Sequence, residues 1–299
     1  MLTSKPKEGI HNRMAAPFIV GVGRSGTTLL RMMLDAHSQL AIPPETHFIP
    51  EVADACRAGG ENSRDAFIRV LLSSRRWTDF QLDPDEFRRR INALAPFDIG
   101  AALRAFYQLY AERFGKSRWG DKTPTYLTQM QLIGELLPEA SFIHLIRDGR
   151  DVALSVKDLW FGPRSITDAA ETWVGRIRSA RKQAAKLSSY MEVRYEDLVR
   201  DAEPVLKRIC QFVDLPWEPQ LLQYHQGAEE RLAEMSRDIH GREGDLWATA
   251  EQRLSIHALT KKPPETSRIG RWKNEMSAGD RKKFEKIARP LLAELGYLD

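Results

Sequence analysis

The chain is poor in cysteine: Cys56 and Cys210 are the only two in 299 residues. They show no metal-ligand spacing, so neither a zinc site nor a disulfide framework is indicated, and a reducing, cytoplasmic compartment is the expected setting. Long apolar runs are missing as well. No segment reaches the roughly 18 apolar residues of a membrane span. Residues 1–16 carry Lys5, Lys7 and Arg13 without any apolar stretch and read as a flexible leader. Strong charge of one sign is also lacking, since a net charge of +4 gives no electrostatic argument for a nucleic-acid partner. Internal repeats and low-complexity tracts are absent. What is left, with 42% hydrophobic and 29% charged residues, is an ordinary globular composition long enough to bury a full α/β core.

The most informative stretch is PFIVGVGRSGTT, residues 17–28. Phe18, Ile19, Val20 and Val22 are aromatic or β-branched and bounded by Pro17 and glycines, which suits a strand buried on both faces. Gly21, Gly23 and Gly26 then let the backbone approach an oxyanion, and a helix expected over 27–36 points its free N–H groups at the same place. A phosphate-like group belongs there, held by Arg24, Ser25, Gly26, Thr27 and Thr28. The spacing matches both G-x-G-x-x-G and a P-loop, except that Thr27 stands where a nucleoside-triphosphate enzyme needs its Lys. That missing Lys argues against hydrolysis of ATP or GTP.

Further on, apolar strand-length runs alternate with helical patterns. Short strands are expected near Trp119 and over 141–147 and 190–195, with helices over 126–137 and 166–187 and a last amphipathic helix over 279–295. Alternation of this kind implies a mainly parallel sheet, whose ligand lies beyond the carboxyl ends of its strands; Arg24, Lys122 and Arg147 all fall at such ends. In LIRDGRDVALSV, Arg147 and Ser155 stand eight residues apart across a strand-to-helix junction, so both can grip one phosphate. The span 49–116 reads as a helical layer without recognisable chemistry. Between Arg237 and Arg289 thirteen Lys or Arg face eight acids, which suits either an anionic ligand or a solvated basic surface. Over 241–259 the sequence is polar and suggests no element. His37, His144, His225, His240 and His257 show no metal-ligand spacing, and His37 and His144 read as structural.

GRSGTTLL followed by LDAH resembles the 5′-phosphosulfate loop of sulfotransferases that use 3′-phosphoadenosine 5′-phosphosulfate (PAPS). PPETHFIP resembles the segment that follows it in protein-tyrosine sulfotransferases and related bacterial enzymes. RDGRDVALS, RYEDL with LPW, and TSRIGRWKN match later family segments in the right order, from about Phe18 to Tyr297. The resemblance implies one α/β domain over 17–299 with a central, mainly parallel sheet like that of P-loop nucleotide kinases, carrying helical insertions, the largest over 49–116. It implies PAPS as cosubstrate, no metal, and a hydroxyl or phenol acceptor: peptidyl tyrosine, lipid, sugar or a carrier-bound acyl chain. It also allows a homodimer.

By the same resemblance, Arg147 and Ser155 hold the 3′-phosphate, and Lys122 in GDKTP stabilises the transferring sulfuryl group together with Arg24. Ser267, Arg268 and Lys273 belong to the segment that closes over the adenosine. That segment departs from many cytosolic members, which carry Arg-Lys-Gly where Glu265, Thr266 and Ser267 stand. Glu45 matches the catalytic base of the tyrosine-type enzymes, and His47 offers the imidazole used in other branches. A glutamate base needs either a pKa raised by burial or an acceptor hydroxyl that is already polarised. Tyr195 reads as packing, with substrate contact as the alternative. Two other classes share parts of this pattern: a nucleotide or small-molecule kinase, and a non-catalytic PAPS-binding protein.

Overall fold

The computed structural model describes residues 14–157, 159, 162–241 and 244–298, so residues 1–13 of the expected leader lie outside it. Ala16, at the end of that leader, already belongs to the first strand.

Strand β1 (Ala16–Gly21) is buried along its whole length and is followed by helix α1 (Thr27–Asp35). A two-residue strand β2 (Leu40–Ala41) pairs in parallel with β3 (Arg118–Trp119) and stays apart from the main sheet. That sheet has four parallel strands: β1, β4 (Asp121–Lys122), β5 (Ala140–Ile146) and β6 (Tyr190–Arg194), in the order β4-β1-β5-β6. Phe18 lies opposite Asp121 on one side and Phe142 on the other, which fixes the register at the centre. Strand residues alternate between two cores. Phe18, Val20 and Phe142 point into one, while Ile19, Ile143, Leu145 and Val193 point into the other.

Between β2 and β3 lie helices α2 (Ile49–Gly59), α3 (Ser63–Leu72), α4 (Pro84–Asn92) and α5 (Ile99–Glu112). They close around an aromatic cluster in which Phe106 meets Phe48 and Phe80, each at 5.0 Å between ring centroids, mostly edge to face. Asp83 and Asp98 cap α4 and α5 by accepting from Asp85 N and Ala101 N, each at 2.8 Å. Where one helix was expected over 126–137, a 3₁₀ turn at Pro124–Thr128 precedes a short helix α6 (Met130–Leu136). Helices α7 (Gly149–Val156) and α8 (Ile166–Ala184) follow β5. The C-terminal helix Ala278–Glu294 packs on α8.

The polar stretch over 241–259 is more ordered than its composition suggests. It takes part in an antiparallel hairpin, β7 (Ile239–His240) with β8 (Leu246–Ala248), and a helix Ala250–Ser255 opened by a capping box from Thr249 and Gln252. This arm lies across the helices of 49–112. Arg253 pairs with buried Asp79, and Arg237 donates to the Thr78 carbonyl.

Candidate active site

A cavity of about 1590 Å³ opens beyond the carboxyl ends of the parallel strands, where β4 and β5 flank β1 on opposite sides. Its floor is the turn after β1. Gly21 is required there because a Cβ would meet the Leu145 carbonyl oxygen at 2.7 Å. Gly26, at φ +95°, leaves no room either: a Cβ would sit 2.4 Å from the Tyr195 ring. No side chain caps α1, so its first N–H groups face the cavity uncapped. Among the described residues, the Ser25 hydroxyl is buried without a hydrogen-bond partner, as is Arg147 Nε.

Three guanidinium groups converge on this turn. Arg24, in a left-handed conformation at φ 71°, donates from Nε to Ser155 Oγ at 3.2 Å and from a terminal nitrogen to the Ile256 carbonyl at 3.0 Å. Arg147 stacks at 4.5 Å over the Tyr195 ring and donates to the carbonyls of Arg24 (3.1 Å) and Arg268 (2.6 Å). Burial lowers the pKa of Arg24, and the charges of Arg147 and Arg268 lower it further. Three cations and a row of free N–H groups form a donor set for an anion with several oxygens, and that fits a phosphosulfate bearing a second phosphate.

Glu45 and Lys122 form the second half of the site. Strand alternation in Gly120-Asp121-Lys122-Thr123 sends Asp121 and Thr123 one way and Lys122 the other. Asp121 and Thr123 anchor Thr46: its hydroxyl donates to Asp121 Oδ2 at 2.8 Å, and its N–H to Thr123 Oγ1 at 3.0 Å. The residues flanking Thr46 are thereby held in place. Lys122, with 1% of its side chain exposed, donates to Glu45 Oε1 at 2.6 Å and to Thr28 Oγ1 at 3.2 Å. His47 Nε2 lies 2.9 Å from Glu45 Oε2, and its backbone takes the left-handed φ of 56°. Such a conformation costs of order 1 kcal/mol or more in a non-glycine residue, and both Arg24 and His47 adopt it within the site.

Burial alone would raise the Glu45 carboxyl, but the Lys122 ammonium and the His47 hydrogen bond outweigh it and hold the group well below the usual carboxylate range. The first route open to a glutamate base, a pKa raised by burial, is therefore closed. Glu45 is a ready carboxylate, and a base in this state would need a polarised hydroxyl. Burial in turn lowers the Lys122 pKa against the opposing pull of Glu45.

Of the residues singled out in the sequence, Arg24, Gly26, Thr27, Thr28, Glu45, His47, Arg147, Ser155 and Arg268 line this cavity. Ser25 and Lys122 are buried beside it. Ser267 is exposed and donates to Glu265, and Lys273 is exposed near the Trp272 ring; neither lines the cavity. Their segment is nonetheless fixed: Asp151 accepts from Gly270 N at 2.7 Å and from Trp272 N at 3.0 Å. Tyr195 and Glu196 of RYEDL also find specific places. Tyr195 packs under Arg147, and Glu196 accepts from Asp148 N at 3.0 Å, bracing the start of α7.

Sequence reasoning missed His257. This half-buried imidazole lines the cavity and is held neutral, first by burial and then by Lys122, with Glu45 opposing and Arg24 adding. Its neighbour's carbonyl is the Ile256 oxygen that Arg24 binds. Nothing in the polar stretch around it marks it, because only the docking of the arm brings it to Glu45 and Lys122.

The sequence profile of the sulfotransferase family matches residues 17–219. Protein-tyrosine sulfotransferase 1 of Danio rerio is 25% identical over 297 residues, covering 96% of this chain and 74% of the relative. Protein-tyrosine sulfotransferase 2 of Gallus gallus is 26% identical over 289 residues, covering 94% and 68%. Among solved structures, the sulfotransferase domain of the Synechococcus PCC 7002 olefin synthase shares the fold with a TM-score of 0.58 at 22% identity, over 95% of this chain and 98% of that one. The sulfotransferase domain from the curacin biosynthetic pathway gives a TM-score of 0.59 at 22% identity, over 93% and 98%.

Proposed function

The chain belongs to the sulfotransferase family, and from that premise we propose that it transfers a sulfuryl group from PAPS to a hydroxyl or phenol, releasing adenosine 3′,5′-bisphosphate. The observation that carries this reading is the convergence of Arg24, Arg147 and Arg268 on a glycine-rich turn whose helix lacks a capping side chain. Like charges this close are stabilised by an anion that spans them.

When bound, PAPS supplies the activated sulfuryl group; the chain's residues supply binding, orientation and charge. Arg24, Ser25, Thr27, Thr28 and the first N–H groups of α1 hold the 5′-phosphosulfate. Arg147, Ser155 and Arg268 hold the 3′-phosphate, and Ser267 and Lys273 belong to the segment that closes over the adenosine. Glu45 takes the acceptor proton, with His47 orienting it. Lys122 and Arg24 offset the negative charge that builds on the bridging oxygen, a preorganised electrostatic contribution that is usually the largest single one. His257 presents a neutral imidazole to the neighbourhood of Lys122, Glu45 and Arg24. Sulfonate carries less charge than phosphate, so no metal is required.

Residues 17–299 act as one sulfotransferase domain, with the helical segment 49–116 as its insertion. Among the described residues no helix is long and apolar enough to cross a membrane. The two buried, unpaired cysteines suit a cytoplasmic setting. The names of the relatives favour a phenol, peptidyl tyrosine, among the acceptor classes; lipid, sugar and carrier-bound acyl hydroxyls are the others to screen.

The test is calorimetric titration with adenosine 3′,5′-bisphosphate and, in parallel, with ATP and magnesium. Binding of the bisphosphate and not of ATP supports the reading; tight binding of ATP alone would replace it with a kinase. Turnover of labelled PAPS over the acceptor classes then separates an enzyme from a binding protein.

A further inference from the structure

Helix α8 turns one face to the cavity through Ala169, Thr172 and Arg176, spaced by three and four residues, and α7 faces it with Val152, Ser155 and Val156. These two faces make one wall. Its position is fixed at the strand end, because Trp173 Nε1 donates to the Arg147 carbonyl at 3.1 Å and the indole fills the space above Gly149. Arg176 stands one turn further along α8.

Arg176 is half-buried and, among the described residues, makes no hydrogen bond, ion pair or ring contact. Several other guanidiniums withdrawn from water face carboxylates, Arg181 with Glu192, Arg150 with Asp148 and Glu285, Arg231 with Asp35, whereas Arg24 and Arg147 in the same cavity donate to carbonyl or hydroxyl oxygens. Burial lowers the Arg176 pKa, with no carboxylate among the described residues to offset it. A guanidinium taken partly out of water without a counter-charge is costly unless an anion completes it. Ser155 stands on the same wall, and Arg268 and Arg271 line the same cavity, so a bound phosphate is the class of anion available to complete Arg176.

We propose that Arg176 is a further binding residue for the 3′-phosphate of the cosubstrate, supplied by α8 rather than by the strand-to-helix junction that carries Arg147 and Ser155. This rests on the PAPS reading given above. Arg176 would thereby distinguish a 3′-phosphorylated nucleotide from its 3′-hydroxyl counterpart, without touching the reacting sulfuryl group.

The experiment compares two probes, adenosine 3′,5′-bisphosphate and adenosine 5′-phosphate, by calorimetry on the parent and on Arg176→Gln. The variant is expected to lose about ten- to a hundredfold in affinity for the bisphosphate and to leave the monophosphate unchanged. Arg176→Met, which keeps the apolar stem, is the companion variant should Gln disturb the helix, and the same selective loss is expected. Retention of the parent's full preference for the bisphosphate, or equal loss of both ligands, would overturn the role of Arg176 while leaving the PAPS reading intact. A parent that itself shows no preference for the bisphosphate would overturn both.

Discussion

The Glu45 carboxylate is held between the Lys122 ammonium at 2.6 Å and the His47 imidazole at 2.9 Å. PPETHFIP places a carboxylate and an imidazole two residues apart, which is enough to nominate both. It says nothing of Lys122, which arrives from 77 positions away to bind Oε1 and depress the carboxyl. Glu45→Gln keeps shape and hydrogen bonding but removes the proton acceptor, so turnover should fall about 10²- to 10⁴-fold at saturating PAPS with cosubstrate affinity little changed. The acidic limb of the pH profile should vanish with it. His47→Gln is the informative partner: it removes one of the groups that, with Lys122 and Arg76, hold the carboxyl down, so the acidic limb should move to higher pH while most turnover survives. Activity retained in Glu45→Gln and lost in His47→Gln would exchange the two roles. His257 was invisible for the same reason that Lys122's effect was, since its surroundings are made by tertiary contact.

Elements were readable where they bury apolar runs. β1 and β5 announce themselves as short aromatic and β-branched stretches, and their parallel pairing follows from the helices between them. The hairpin of β7 and β8 did not, because Leu246–Ala248 pairs with only two residues and exposes Leu246 and Trp247, leaving no alternation to detect. TSRIGRWKN is recognisable as a segment from its sequence, but its anchoring is not. What fixes it is Asp151 on α7, one residue whose two partners lie 119 and 121 positions away. Asp151→Ala leaves the Gly270 and Trp272 N–H groups without their acceptor, at a cost of about 1–3 kcal/mol for each buried donor left unsatisfied. Amide hydrogen exchange over 266–275 should accelerate and bisphosphate binding should weaken. Unchanged exchange in that segment would show that the Arg150–Trp272 stacking at 3.6 Å, rather than Asp151, holds it.

At the scale of the whole molecule, two cores on either face of a parallel sheet leave β5 in the interior, and that exposes the fold to acid through a residue remote from catalysis. His144 is fully buried on β5. Its Nδ1 meets the Tyr190 hydroxyl at 2.6 Å, and that hydroxyl donates onward to Glu192 at 2.9 Å, so the imidazole donates from Nδ1 and its Nε2 is left without a partner. Burial is the chief cause that lowers its pKa to about 4, with Glu192 pulling upward and Arg181 downward. A histidine in the unfolded chain titrates near 6.5. Between those two values the unfolded state binds a proton that the folded state refuses, so stability is fully present above about pH 6.5 and is lost as pH falls toward 4. The slope is about 1.4 kcal/mol per pH unit, roughly 3 kcal/mol over the window. The lowered pKa of His257 adds in the same direction, whereas the depressed carboxyls of Asp35 and Glu45 add theirs only at more acid pH. Urea unfolding of the parent and of His144→Gln across pH 4 to 7.5 isolates the β5 contribution. The variant, although less stable at neutral pH, should show a flatter decline by about 1 kcal/mol per unit. Parallel curves for the two proteins would mean that His144 is protonated in the fold, and that the sheet interior tolerates a charge that its burial and the bare Nε2 argue against.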